Sequence, residues 1–315
     1  MVDMRDAFFE GVYNIIKDNK DAIILTADHG AFKLSEIERD FPDQFLNIGI
    51  AEQNAISVAA GLAKSGKVVY VYSINNFITL RAMEQVNIDL CQMNLNVNLI
   101  GVGAGFTYAT DGPTHQGVQD MQAMRVLPNM QVYNCTDATQ STWLAEMSYK
   151  TPGPKYFRIE KGSLSDIYTD KLNLSGMQLF SKTFPSSGSS KEIVIVSTGY
   201  MTHTALTLSN VSSWPHNIPC SVLDVYQIKP FNENIFLELV KHFKTIIVLE
   251  ENTQCGGLGE LIGYTIAKNN IECKFIPISL GDKHYFSYGS RELLHTTHNI
   301  DYKSIYNTIA ESIDV

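Results

Sequence analysis

Strand-length runs of uninterrupted apolar residues, separated by stretches of helical periodicity, narrow most what this chain can become. In the first half the runs fall at 22–26, 68–71, 97–102, 130–133 and 155–158, with helical patterns at 51–64, 80–92, 118–124 and 138–149. Strands that are apolar at nearly every position are buried on both faces, and their alternation with helices is the pattern of a parallel sheet covered on both sides. Residues 163–190, ending in PSSGSS, break the rhythm with polar and turn-forming residues, as a linker crossing a surface does. A second series follows, with apolar runs at 192–199, 220–226, 245–251 and 273–279 and helical patterns near 203–212, 232–242 and 257–268. The prediction is an α/β protein of two domains, each a mostly parallel sheet flanked by helices: residues 1–165, a linker at 166–190, and residues 191–315. A chain of 315 residues is long enough for both.

Composition excludes several classes. The formal net charge of -9 opposes non-specific binding to nucleic acid or an anionic membrane, both of which need a positive surface. No apolar run approaches the roughly 18 to 20 residues that span a bilayer. The amino-terminal MVDMRDAFFEGVYNIIKDN places Ala7, Phe8, Val12, Ile15 and Ile16 on one helical face and reads as a helix, not a signal peptide. The five cysteines, Cys91, Cys135, Cys220, Cys255 and Cys273, include no CxxC pair. Their odd number and spacing argue against a disulfide framework or zinc site and fit a reducing cytoplasm.

Several motifs stand out against this frame. Glu52, in NIGIAEQNA, sits where the apolar run 45–50 gives way to a helix of small residues. An acid in a helix's first turn meets the positive end of the macrodipole, and in isolation that accounts for it. YSINNFITLRAMEQ puts Phe77 and Arg81 four residues apart on one helical face. DGPTHQG is strong turn chemistry that presents Asp111 and His115 at the carboxyl end of a strand, where open α/β sheets place their sites. GVGAGF lacks the dinucleotide spacing and runs into turn residues, so its glycines signal close backbone approach rather than a nicotinamide site. EENTQCGGLGE is a strand end, a glycine-rich turn and a helix start without a P-loop lysine; packing or an interface is its expected role. HTTH, 295–298, has no carboxylate at metal-ligand spacing within it.

NIGIAEQNA, Phe77 with Arg81, DGPTHQGVQDMQAMRVLPNM and EENTQCGGLGE occur in one order, and that order resembles the C-terminal half of transketolase and of the related deoxyxylulose-phosphate synthases. The likeness runs from about Arg5 to Ser312, and the closest form is the split transketolase, in which two chains share one polypeptide's work. The resemblance implies a pyrimidine-binding domain followed by a smaller transketolase C-terminal domain, with thiamine diphosphate as cofactor. Glu52 matches the cofactor-activating glutamate, whose task is to share a proton with N1' of the aminopyrimidine in a dry, apolar pocket. Phe77 matches the aromatic that stacks on that ring, with Tyr72 and Arg81 as further cofactor-binding candidates. Asp111, His115, Lys161 and Arg158 are the candidates for sugar binding, and His115 is also a catalytic candidate, as proton shuttle or oxyanion stabiliser.

Three departures from the family pattern bear on the substrate. The family has a histidine twelve residues before the DGPTH histidine, and Gly103 stands there. The arginine that grips a substrate phosphate is replaced by Lys161, which keeps the charge and loses the bidentate fork. A phosphate-contacting serine in the early loop is replaced by Phe32. The expected substrate is therefore a sugar, modified or non-phosphorylated. The GDG…N element that holds Mg²⁺ and diphosphate in this family is missing, so the resemblance implies a separate N-terminal-half subunit that supplies the metal site, in an α2β2 assembly. The expected activity is transfer of a two-carbon ketol unit between sugars. The alternatives are a deoxyxylulose-phosphate-synthase-like or acyloin-forming 2-oxo acid decarboxylase subunit, and a non-catalytic regulatory half.

Overall fold

A computed structural model describes residues 1–28, 30–169, 175–180, 193–210 and 220–313. The chain divides into two compact units, Met1–Tyr108 with Thr114–Leu172, and Ala109–Pro113 with Asn173–Val315. Both are helix-flanked sheets, as the alternating pattern predicts.

The first unit opens with α1 (Met4–Asp18), whose apolar face is buried as expected: Ala7, Phe8, Val12, Ile15 and Ile16 all point inward. Then come β1 (Ala22–Thr26), α2 (Phe32–Asp40), β2 (Phe45–Asn47), α3 (Glu52–Lys64), β3 (Val68–Ile74) and the single turn α4 (Asn75–Ile78). A short helix, α5 (Met83–Gln85), continues as a π-helical segment over Val86–Gln92. β4 (Val97–Val102), α6 (Asp120–Val126), β5 (Gln131–Asn134), α7 (Ala138–Lys150) and β6 (Lys155–Ile159) complete the unit. Its strands pair in the order β5-β6-β4-β3-β1-β2, each parallel to its neighbours. Every residue of β1, β3, β4 and β6 is buried, the condition their apolar runs require. The core is aromatic: Phe8 and Phe157 lie 5.2 Å apart, Phe9 meets Tyr72 edge-on at 4.9 Å, and Tyr133 stacks on Phe157 at 5.0 Å.

The second unit holds β7 (Met177–Phe180), β8 (Ile193–Ser197), α8 (Tyr200–Asn210), β9 (Cys220–Val225), β10 (Gln227–Lys229), α9 (Glu233–Val240), β11 (Thr245–Thr253), α10 (Leu258–Lys268), β12 (Lys274–Leu280), α11 (Arg291–Thr297) and α12 (Tyr302–Ser312). One sheet runs β12-β11-β8-β9-β7, parallel except for β7. Ile195, Met201, Ile247, Leu249 and Ile305 form part of its core.

The structure departs from the sequence-based expectation in particular places. The segment expected as a linker is structured where it is described. Ile167 and Tyr168 donate their amides to Asp137, and β7 pairs antiparallel with β9. The helix expected at 118–124 starts two residues later, because Gly117 and Val118 are still engaged in a loop, Gly117 exchanging backbone hydrogen bonds with Gly105. The helix expected at 80–92 is broken near Ala82 and turns π-helical. The helix expected at 203–212 runs from Tyr200, and residues 211 and 212 lie outside the described residues. Among the described residues no helix is long and apolar enough to cross a membrane.

Candidate active site

The loops that leave the carboxyl ends of the parallel strands of the first unit bring Glu52, Phe77, Arg81, His115 and Lys161 together, where such sheets place ligands. After β2 the chain passes Gly49 (φ 75°) and enters α3 at Glu52. Glu52 is 2% exposed, and its carboxylate is held from two sides. Arg81 Nη1 donates to Oε2 at 3.0 Å, and Ser73 Oγ donates to Oε1 at 3.4 Å. Oε1 thus keeps capacity for a further donor.

Arg81 does more than neutralise that charge. Its guanidinium lies 3.8 Å from the Phe77 ring centroid, a close cation–π contact. Gln53 Nε2 donates to the Arg81 carbonyl at 3.1 Å, which ties the arginine's backbone to the start of α3. A planar, N–H-bearing cation is therefore bonded to the buried carboxylate and stacked on the phenyl ring. A flat aromatic ring with an N–H needs these two contacts, and the guanidinium occupies their place.

The other edge of Phe77 meets His115, with centroids 5.0 Å apart and planes at 71°. Thr114 Oγ1 lies 2.9 Å from His115 Nδ1, which orients the imidazole. Tyr108 packs edge-on to His115 at 6.0 Å, and the Lys161 ammonium sits over the Tyr108 ring at 5.1 Å. Glu52, Arg81, Phe77, His115, Tyr108 and Lys161 thus form a continuous wall within the first unit.

The wall is held by groups that sequence reasoning passes over. Asn75, at the start of α4, donates to the Gly103 carbonyl at 2.7 Å. Asn76 Nδ2 donates to the carbonyls of Thr114 and Gln116 at 3.2 and 3.0 Å, fixing the backbone on both sides of His115. Their signal in the sequence is two adjacent amides at the end of a mostly apolar strand, where a buried carboxamide needs backbone partners. The glycines of GVGAGF serve close approach: a Cβ at Gly101 would stand 2.7 Å from Tyr156.

Two candidates lie behind the wall instead of on it. Tyr72 is 1% exposed, and burial pushes its phenol up against the pull of Arg5, itself bound to Asp3. Arg158, expected to meet the sugar, faces inward. Its Nε donates to Asp120 Oδ2 at 2.9 Å and Nη2 to the Gly117 carbonyl at 2.5 Å, so it ties the His115 loop to β6. Asp111 is exposed and travels with the second unit, where Gly112 packs under the Tyr288 ring and Gly289 N donates to the Ala109 carbonyl at 3.4 Å. Phe32 is 85% exposed at the start of α2.

The remaining motifs resolve as internal bonding of the second unit. In EENTQCGGLGE the buried Glu250 carboxylate accepts from the amides of Leu258 and Gly259, both at 2.8 Å, so the turn at the start of α10 carries its own anion. A Cβ at Gly257 would strike that carboxylate at 2.5 Å. In HTTH, His295 bonds the buried Glu251 carboxylate together with Arg291, and His298 packs edge-on to Tyr285 at 4.5 Å. Burial alone would push the Glu251 carboxyl up, but Arg291 and His295 overcome it and hold the group down to about 2.

Comparison with known proteins places the chain in a family. Residues 1–166 match the family described as "Transketolase, pyrimidine binding domain", and residues 186–305 match "Transketolase, C-terminal domain". The chain is 27% identical over 314 residues to one of the subunits of the apulose-4-phosphate transketolase of Phocaeicola vulgatus, covering 99% of this chain and 98% of that protein. It is 26% identical over 310 residues to a subunit of the 6-deoxy-6-sulfo-D-fructose transketolase of a Clostridium species, covering 94% of each. A structure described as "Split gene transketolase, inactive beta4 tetramer" superposes with a TM-score of 0.84 at 24% identity, over 99% of this chain and 98% of that one.

Proposed function

Because the chain belongs to the transketolase family, we propose that it is the C-terminal subunit of a two-chain, thiamine-diphosphate-dependent transketolase. It would transfer a two-carbon ketol unit between sugars that carry an anionic or otherwise modified end. The observation that carries the reading is the arrangement of Glu52, Arg81 and Phe77. A buried carboxylate and an aromatic face converge on one planar N–H-bearing group, as the aminopyrimidine half of the cofactor requires.

When bound, thiamine diphosphate supplies a nucleophilic carbon and an electron sink for breaking and making the carbon–carbon bond beside a ketose carbonyl. With the cofactor bound, the buried Glu52 carboxyl group would share a proton with N1' of the pyrimidine. Phe77 would present the face on which that ring stacks, and Arg81 would yield its seat to the ring. His115, oriented by Thr114, offers Nε2 to a sugar hydroxyl or a developing oxyanion. Lys161 is the candidate for the anionic end of the sugar, and Asp111 remains a candidate for its hydroxyls on the family resemblance alone. An N-terminal-half subunit supplies Mg²⁺ and diphosphate binding in an α2β2 assembly within the cytoplasm.

The test is calorimetry of thiamine diphosphate with Mg²⁺, for this chain alone and for its mixture with an N-terminal-half subunit. Tight binding in the mixture alone is expected. In the mixture, Glu52→Gln should retain binding and slow ketol transfer by about a hundredfold or more. Tight binding by the isolated chain, or full activity of Glu52→Gln, refutes the reading.

A further inference from the structure

We propose that Tyr108 is a specificity-determining residue of the sugar site: its ring fills the space above Gly103 and holds the Lys161 ammonium where the anionic end of the sugar arrives. This rests on the ketol-transfer reading and names what selects its substrate.

Three rungs tie the loop after β4 to the end of β6. Gly103 N donates to the Ile159 carbonyl at 3.0 Å. Thr107 Oγ1 lies 2.6 Å from the Ala104 carbonyl and also bonds the Glu160 carboxylate. The third rung is Tyr108 against Lys161, ammonium over ring at 5.1 Å. Two successive residues of one loop, 107 and 108, thus meet two successive residues of the other, 160 and 161. The tyrosine is placed by this ladder and does not rest on the surface by chance.

Gly103 is what admits the ring. Its φ is 108°, which side chains other than hydrogen rarely tolerate, and a Cβ there would stand 2.4 Å from two carbons of the Tyr108 ring. A side chain at 103 and a ring at 108 exclude one another. In this chain the ring has the space, with His115 at its edge and Lys161 on its face. An exposed lysine ordinarily gives up much rotamer freedom to grip an anion as a point charge. The negative face of an aromatic ring attracts the ammonium and restricts it beforehand. The consequence is selective. A sugar ending in phosphate or sulfonate gains from the fixed ammonium, whereas the same sugar ending in a hydroxyl gains little.

The test uses the assembled two-chain enzyme with thiamine diphosphate and Mg²⁺, and two ketose donors that differ only in a terminal phosphate or hydroxyl. Tyr108→Ala and the volume-keeping Tyr108→Leu should raise KM for the phosphorylated ketose about fivefold. Both also lose the edge contact with His115, so any fall in kcat should be shared by the two ketoses, while the rise in KM should be confined to the phosphorylated one. Tyr108→Phe, which keeps the ring, should restore the preference. In a Lys161→Gln background Tyr108→Leu should have no further effect on the preference, since the pair is then already broken. Cofactor affinity by calorimetry reports whether each variant keeps its fold. Equal changes in KM for both sugars, or an unchanged preference in Tyr108→Leu, overturn the proposal while leaving the ketol-transfer reading in place. A wild-type complex that transfers from neither ketose overturns both.

Discussion

At Asp120 a carboxylate is buried completely, and the chain brings two donors to one of its oxygens. Tyr156 OH donates to Oδ2 at 2.5 Å and Arg158 Nε at 2.9 Å, while Arg158 also reaches the Gly117 carbonyl. Breaking one side of such a pair strands the other charge in a low-dielectric interior, which costs about 3–5 kcal/mol. Asp120→Asn should therefore lower stability by about that amount in urea denaturation of the purified chain. Asp120→Leu combined with Arg158→Met should recover most of the loss; a denaturation midpoint that stays put in Asp120→Asn would show the pair to be dispensable. This residue also marks the limit of sequence reading. Glu52, Phe77 and His115 are legible because turn chemistry and family order single them out. Asp120 is not, since an acid in a helix's first turn reads as an ordinary cap, and Arg158 looks like a ligand because nothing in FRIEK says which way a strand residue points. Tyr108 escapes for a related reason: the role proposed for it depends on the glycine five residues before it and on a lysine in the loop after β6.

Among the elements, the contact of α1 with α7 shows how tightly the first unit is built. Gly11 faces α7 so closely that a Cβ would stand 2.8 Å from Ala145 Cβ and 2.9 Å from the Thr142 carbonyl, and Thr142 Oγ1 donates back to the Ala7 carbonyl at 2.9 Å. Both obstacles are atoms that cannot swing away, so the helices must part. Gly11→Ala should destabilise by about 1–3 kcal/mol through overpacking, even though alanine favours a helix. Thermal unfolding will read this as a lowered Tm, and a raised Tm would mean that propensity outweighs packing here. The same physics explains which elements can be read in advance. Strands covered on both faces announce themselves as continuous apolar runs, and β1, β3, β4 and β6 fall within a residue or a few of the expected positions. β7 is an edge strand with one buried residue, Met177, so its sequence carries no such run and its polar surroundings suggest a linker. The π-helical stretch over Val86–Gln92 is likewise silent, because its apolar spacing passes for that of an ordinary helix.

On the scale of the whole molecule, each unit carries its own core and its own buried ionic centre, and the two centres set different conditions for stability. In the second unit Glu251 titrates at about 2, lowered against the effect of its burial by Arg291 and His295 from an unfolded value near 4.5. A carboxylate whose folded value lies below its unfolded one contributes stability in full above pH 4.5, and loses it as pH falls through about 2. Acid unfolding followed by far-UV circular dichroism should show this loss across that window. Glu251→Gln should flatten the pH dependence there, and a variant with the wild-type acid profile would place the proton uptake elsewhere. The seat that Arg81 takes on Glu52 and Phe77 has a consequence for the chain by itself. Without it the chain would show water an aromatic face and an unbalanced carboxylate, an invitation to indiscriminate sticking. The arginine acts as a built-in placeholder: it caps both groups with the chain's own atoms and, being 44% exposed, can swing out again. In the cofactor-binding reading proposed above, the departing side chain would return to solvent and the aminopyrimidine ring would inherit contacts already formed.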